Sequence, residues 1–281
     1  MEFYNQIAKE NIIFTLFALA SIGLIAGSFI NVVISRLPIM MNRLYTELCE
    51  SFLKEDKKNY KDYPKTFNLL WPRSKCHKCF NTISFLYNIP VLSWILIKGK
   101  CRYCKTKISA VYPIVESLGA MIVISAYFKF GISMQMMGMS ILCLSLLALT
   151  FIDLKEMILP DEIVIPLIWL GLVFNINYTF TVLDQAVIGA IGGYLMLWSV
   201  YWVFKLVTKK EGLGFGDIKL MAALGAWLGI YRVIDIVFLS SMIAIIFEVT
   251  SSLTRKQKIK KMIPYGPYIA LATWVVIFLR V

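Results

Sequence analysis

The sequence predicts an all-α polytopic membrane protein, with about eight transmembrane helices and a small cysteine-bearing cytoplasmic lobe. Composition is the first reason. The 281 residues are 59% apolar and only 16% charged, with a mean hydropathy of +0.72, well away from a soluble domain. The second is length. Apolar segments near the ~20 residues that a span requires fall at 12–35, 110–130, 134–152, 160–179, 185–207, 218–232, 234–252 and 263–280. The third is the polar stretch between the first two, which carries the paired cysteines Cys76/Cys79 and Cys101/Cys104. This divides the chain into a first transmembrane helix at 1–35, a cytoplasmic basic region with the four-Cys lobe at 36–109, and a transmembrane core at 110–281.

Charge orients the spans. The net charge of +12 would raise nucleic acid as a partner in a soluble protein, but its distribution excludes that class. Residues 36–109 hold 15 Lys/Arg against 5 Asp/Glu, five more basic residues lie at 255–261, and Lys205, Lys209 and Lys210 precede a glycine-rich joint. The positive-inside rule assigns all of these to the cytoplasm, leaving Lys9, Lys129, Arg232 and Arg280 elsewhere. With the N-terminus outside, alternate threading puts 153–159, 208–217 and 253–262 inside. The first segment resembles a signal peptide in having Lys9 ahead of it, but its apolar run is longer than an h-region and lacks a clean cleavage site, so it is read as an anchor.

The first span closes on Gly27, Ser28, Asn31, Arg36 and Pro38. Gly27 and Ser28 allow close helix approach, Arg36 can reach headgroups or a carboxylate, and Pro38 is expected to stop the helix. Beyond it, 39–73 reads as a linker with one amphipathic helix at 42–53, on which Cys49 is expected to be a small buried side chain. A solvated charged run follows at 54–58.

Two Cys-x-x-Cys pairs separated by 21 residues let four thiolates converge as a structural zinc site needs, or form disulfides. A reducing cytoplasmic location favours zinc. Four cysteines fill the shell and leave no open position for catalysis. Phe80 and Lys105 stand where such knuckles often carry glycine, and His77 reads as a solvated neighbour. The apolar piece 85–97 is too short to span and is expected to lie against the membrane or fold back on the lobe.

Glu116, near the start of the second span, is an intramembrane acid that should be paired, with Lys219, Arg36 or water as candidates. Asp161 and Glu162 follow Pro160 at a helix start, where negative charge offsets the helix dipole. Asp153 lacks that explanation, because it ends a helix, on the unfavourable side of the dipole. A shared proton is one compensation. Gly189, Gly192 and Gly193 suit close packing. Glu248 is a further intramembrane acid of unknown partner, and Pro264 and Pro267 fix how the last span begins.

Gly212, Gly214 and Gly216 then form a bent, crowded joint that leads straight into Asp217. The charge-derived topology places Asp153 and Asp217 on the same cytoplasmic side. Two carboxylates about 3 Å apart cannot both ionise, so one activates water while the other polarises a scissile carbonyl. Competing catalysts are scarce in the sequence. It holds no Gly-x-Ser-x-Gly elbow, no His-Glu-x-x-His and a single histidine. An ion-coupled membrane transporter whose acids carry ions is the reading from a different class.

Gly27 to Pro38, the cysteine pairs, Asp153 with Leu159, Pro160 and Asp161, Gly214 to Asp217, and Pro264 to Pro267 together resemble the bacterial type IV prepilin peptidases, over nearly the whole chain. The resemblance implies that Asp153 and Asp217 are the catalytic aspartic pair of the 110–281 core. It implies cleavage, after a glycine, of the basic leader of type IV prepilins and type II secretion pseudopilins. It places the protein in the bacterial inner membrane, multi-pass, with the active site on the cytoplasmic side and the lipid bilayer as partner. The family also methylates the new amino terminus with S-adenosylmethionine. Gly27, Phe29, Asn31, Arg36 and Pro38 match its N-terminal motif, associated here with methylation, although no nucleotide-binding loop after a strand is recognisable. Lys155 stands where many relatives carry another acid. A peptidase without methyltransferase activity remains the alternative within enzymes. On the enzyme's own basic face, Glu116, Glu156, Asp161 and Glu162 are expected to attract the basic leader.

Overall fold

The computed structural model describes residues 11–53, 67–210, 212–255 and 263–279. Lys9, Arg280, the charged run at 54–58 and the basic positions from 256 to 261 lie outside the described residues. The chain forms two compact units, Met1–Phe128 and Lys129–Val281. Helix Val111–Phe130 therefore falls almost entirely in the N-terminal unit, whereas the sequence reading grouped it with the core beginning at 110.

In the N-terminal unit, α1 (Ile12–Leu53) is followed by a short 3-10 turn (Phe85–Asn88), α2 (Leu92–Leu96) and α3 (Val111–Phe130). Pro38 does not end the first helix, contrary to expectation: α1 runs on for 42 residues with Pro38 inside it. One missing N–H costs about 3 kcal/mol, and strong helix formers such as Met40, Met41, Arg43, Leu44 and Leu48 continue the ladder beyond it. Cys49, on that extension, is exposed rather than buried. The helices α1 and α3 meet backbone to backbone, since a Cβ on Gly27 would lie 2.6 Å from the Glu116 Cα. No larger residue than glycine permits that approach.

The piece 85–97 folds back on the cysteine lobe. The Trp94 ring packs over Gly99 and its indole N–H donates to Ile108 O at 3.4 Å, while Leu92, Ile95 and Leu96 remain exposed.

In the C-terminal unit the helices are α4 (Met134–Glu156), α5 (Asp161–Ile176), α6 (Leu183–Thr208), α7 (Phe215–Leu228), α8 (Ile230–Arg255) and α9 (Gly266–Leu279). Its centre is α7, whose residues from Asp217 to Leu228 are nearly all buried. At 14 residues it is about 21 Å long, short of a bilayer's ~30 Å core. Burial inside protein removes the need to match lipid thickness. Gly189 of α6 meets Gly225 of α7 at backbone contact, as small residues there suggested.

The C-terminal end of α7 is capped from α5. The Asn175 amide donates to Ala226 O and Trp227 O at 2.9 Å each, and its Oδ1 accepts from the Phe180 and Thr181 N–H groups. The fully buried Trp227 donates to Leu167 O at 2.8 Å. A helix end placed among apolar side chains needs such partners, because water cannot supply them.

Five described helices are long and apolar enough to cross a membrane: Ile12–Cys49, Val111–Phe130, Met134–Glu156, Leu183–Thr208 and Ile230–Thr254. Gly266–Phe278 is a shorter apolar helix. The chain is a helical, multi-pass membrane protein.

We expect Trp227→Ala to destabilise the protein by roughly 3–5 kcal/mol, seen as a lower Tm in detergent. An unchanged Tm would mean that α7 is not held at this point.

Candidate active site

Asp153 lies in the last turn of α4, which Met157 closes in the left-handed conformation at φ 56° with its N–H on Asp153 O. The carboxylate is 5% exposed, and its Oδ2 accepts the Gly266 N–H at 2.9 Å. Gly266 opens α9, so the acid at the negative end of one helix sits against the positive end of another. That is the compensation Asp153 required, and the sequence reading, which saw only two prolines fixing a helix start, missed it. The signal was present in Tyr265 and Gly266 between Pro264 and Pro267. Proline at a helix start leaves neighbouring N–H groups free to donate outward. Tyr265 is tethered in turn, its hydroxyl 2.7 Å from Ser240 Oγ and 3.1 Å from Ser241 Oγ. Glycine at 266 leaves the carboxylate its place, since a Cβ there would stand 2.8 Å from Asp153 Oδ2 and push it aside.

Asp217 is the third residue of α7, after the N-cap Gly214, whose carbonyl accepts the Asp217 N–H at 3.2 Å. It is 8% exposed, and the charge of Asp153 reaches it. Among the described residues, two buried side-chain polar atoms lack a hydrogen-bond partner, Gln185 Oε1 and Asp217 Oδ1. A buried carboxylate oxygen without a partner is costly and calls for a proton, a water or a ligand.

Leu159, in the turn after α4, joins the two acids' supports. Cβ atoms built on Gly216 and Gly266 would lie 2.8 Å from Leu159 Cβ and 3.2 Å from Leu159 Cδ2. The same turn is pinned by an ion pair, Lys219 Nζ donating to Asp161 Oδ1 at 2.9 Å and Oδ2 at 2.7 Å. Lys219 therefore pairs with Asp161 rather than with Glu116. Of the acids expected to attract a basic leader, Asp161 is engaged by Lys219 and Glu156 by Lys155 at 2.9 Å. Glu248 accepts the Tyr268 hydroxyl at 3.1 Å.

In the N-terminal unit Cys76, Cys79, Cys101 and Cys104 converge, their sulfurs all within 4.8 Å of one another, as a cluster that could hold a metal ion. The two knuckles are built alike. Phe80 N–H bonds to Cys76 O and Lys105 N–H to Cys101 O, and both residues take the left-handed conformation, at φ 56° and 58°, that glycine would adopt more cheaply. His77 Nε2 lies 3.4 Å from the Tyr112 hydroxyl, outside the cluster. Hydrogen bonds from the Thr106 hydroxyl and backbone hold the Cys104 thiol down to about 6. Cys79, despite a hydrogen bond from the Asn81 backbone, is pushed up to about 11 by desolvation and the neighbouring thiols.

The N-terminal motif residues take different partners. Gly27 packs on α3, the Asn31 amide donates to Tyr112 O at 3.0 Å, and Phe29 is 49% exposed. Among the described residues Arg36 holds no carboxylate. It donates to the carbonyls of Asn68, Leu69 and Pro72 at 2.9, 3.3 and 2.6 Å, gathering the chain that leads into the cysteine lobe.

Residues 21–130 match the Bacterial Peptidase A24 N-terminal domain and 140–249 match the Type IV leader peptidase family. A prepilin leader peptidase/N-methyltransferase of Aeromonas salmonicida (strain A449) is 46% identical over 253 residues, 90% of this chain and 87% of the relative. The chain belongs to the type IV leader peptidase family. Prepilin leader peptidase/N-methyltransferases of Neisseria gonorrhoeae and Pseudomonas aeruginosa are 41% and 40% identical, covering 92% and 98% of this family member and 88% and 93% of themselves. No solved structure matches it.

In metal-free protein at neutral pH, Cys104 lies above its pKa of about 6 and Cys79 far below its own of about 11. We therefore expect iodoacetamide to alkylate Cys104 well before Cys79 by peptide mass spectrometry. Equal rates would remove the asymmetry.

Proposed function

We propose that the protein cleaves the basic leader of type IV prepilins, and of type II secretion pseudopilins, after a glycine on the cytoplasmic side of the bacterial inner membrane, and then methylates the new amino terminus. The observation that carries this is that the charge of Asp153 reaches Asp217, whose Oδ1 is buried without a partner, in a member of this family.

The geometry suggests unequal roles for the two acids. Asp153 receives a backbone N–H at a helix start, which favours its carrying the negative charge. Asp217, whose Oδ1 receives nothing, holds the shared proton. Asp153 then takes a proton from water as the oxygen attacks the scissile carbonyl. Asp217 donates its proton to the developing oxyanion; as the C–N bond breaks, the proton gained by Asp153 passes to the leaving amine and one hydroxyl of the diol intermediate returns its proton to Asp217. The pair titrates as one unit. A prepilin's apolar helix lies in the bilayer, so it reaches the site laterally, with its scissile bond at interface depth.

The four cysteines would hold a structural zinc ion. Zn–S bonds of about 2.3 Å imply sulfur separations of about 3.8 Å in a tetrahedron, and Cys76 to Cys104 and Cys79 to Cys101 measure 3.7 and 3.9 Å. Metal would also let all four thiols deprotonate together, which their mutual repulsion otherwise opposes. S-adenosylmethionine would supply an electrophilic methyl group to the new amine. The N-terminal motif, Gly27, Phe29, Asn31, Arg36 and Pro38, contributes to that half-reaction by holding the unit together.

Cleavage of a purified prepilin tests the peptidase. We expect Asp153→Asn and Asp217→Asn each to lower the rate by at least ~10²–10⁴-fold, and full activity in either would remove the pair. Gly266→Ala should cost on the order of 10²-fold by displacing Asp153, with metal content unchanged. Tritiated methyl transfer to cleaved pilin tests the second reaction, and complete cleavage without label would leave a peptidase alone.

A further inference from the structure

The N-terminal unit carries an open cavity of about 920 Å³, within the ~300–1,000 Å³ usual for small-molecule sites. Its lining is built from the first helix, the cysteine lobe and the start of α3, and includes Ser28, Asn31, Trp94, Tyr112 and Glu116. Among the described residues Glu116 is the sole acid on this lining, with cations that include Arg73, Lys75 and Lys107.

Glu116 is 8% exposed. The Val91 N–H donates to its Oε2 at 2.8 Å, and the side chains of Ser28 and Asn31 lie beside it. Val91 provides its N–H at a cost. It sits at φ 58°, ψ −52°, and the Leu92 N–H closes a three-residue turn on Pro90 O at 2.6 Å. A β-branched residue in that conformation is strained by about 1–3 kcal/mol. Such strain persists where the surroundings over-determine it, and it clusters at ligand sites. Here it aims one N–H at one carboxylate in the wall of a cavity.

We propose that this cavity is the methyl-donor site, with Glu116 facing the positively charged sulfonium of S-adenosylmethionine. The proposal rests on the methyltransferase reading above and adds where the donor binds and which charge holds it. A zwitterion carrying an aromatic base matches one fixed acid on a lining that also holds Trp94 and Tyr112, with cations on the same lining for its carboxylate. A plain anion such as a lipid headgroup would be attracted by the lysines and arginines but would meet Glu116 as a like charge and leave the aromatic rings unused. Sequence reading alone left Glu116 with Lys219, Arg36 or water as partners. The structure gives it neither cation: Lys219 pairs with Asp161, and Arg36 is engaged by backbone carbonyls.

The test is binding, independent of turnover. Full-length protein in lipid nanodiscs is dialysed against tritiated S-adenosylmethionine or against S-adenosylhomocysteine, which lacks the sulfonium charge. We expect Glu116→Gln to weaken the sulfonium ligand by roughly tenfold or more, the scale of one charge-assisted contact, and the neutral thioether distinctly less. Equal weakening of both would indicate a merely structural role, and no weakening would remove Glu116 from the site. Ultraviolet cross-linking of the tritiated donor to the unmutated protein supplies a readout that survives misfolding of the variant. Label within 28–116 is expected, whereas label within 129–281 overturns the assignment. If the unmutated protein neither binds nor transfers the methyl group, the methyltransferase reading itself falls. If it does both and Glu116→Gln binds as tightly, only the location falls. Cavity protection by phosphatidylglycerol, without donor binding, would assign the cavity to a lipid headgroup instead.

Discussion

The Gly266 N–H donated to Asp153 Oδ2 is the contact on which the C-terminal unit depends. A carboxylate at the end of α4 faces its own helix's partial negative charge, and taken into an apolar interior it would be expelled or permanently protonated. Bringing the start of α9 against it reverses the local field. The Pro264, Tyr265, Gly266, Pro267 sequence serves this purpose, with Tyr265 tied to Ser240 and the absence of a Cβ at 266 leaving space for the carboxylate. Leu159 then wedges between Gly266 and Gly216, so the support of one acid is also the support of the other.

The N-terminal unit is organised by backbone carbonyls and sulfur. Arg36 gathers the carbonyls of Asn68, Leu69 and Pro72 with its guanidinium, a planar fork suited to several acceptors at once. That sets the chain leading to Cys76. The knuckles tolerate Phe80 and Lys105 in a left-handed conformation because a turn closing four sulfurs into one cluster fixes the backbone more strongly than side-chain preference does.

Much of this was legible in the sequence because it depends on local or one-dimensional signals. Apolar length located the helices, charge bias put Asp153 and Asp217 on one side, and cysteine spacing located the cluster. The errors arose where tertiary partners decide. Pro38 was read as a stop from an intrinsic penalty that neighbouring helix formers outweigh. Lys219 was offered to Glu116 because sequence gives charge without direction, whereas the ion pair is with Asp161. Cys49 was expected to be buried, but an extended amphipathic helix leaves it exposed. Asn175 and Trp227, which terminate α7, carried no motif at all, because their partners are carbonyls that every sequence possesses.

Acids along apolar helices are a poor guide to chemistry until their partners are known. Glu248 takes the Tyr268 hydroxyl, Glu116 takes the Val91 N–H, and Asp153 takes Gly266. Each of these explains its own burial. Asp217 does not, since its Oδ1 has no donor and the nearby charge of Asp153 makes a second negative charge harder to hold. A rigid interior tolerates such a group only if a mobile proton or an incoming water and substrate completes it. The same crowding that excludes a permanent partner at the start of α7 therefore leaves room for a transient one. Asp217 thus stands apart from the other buried acids without reference to any motif.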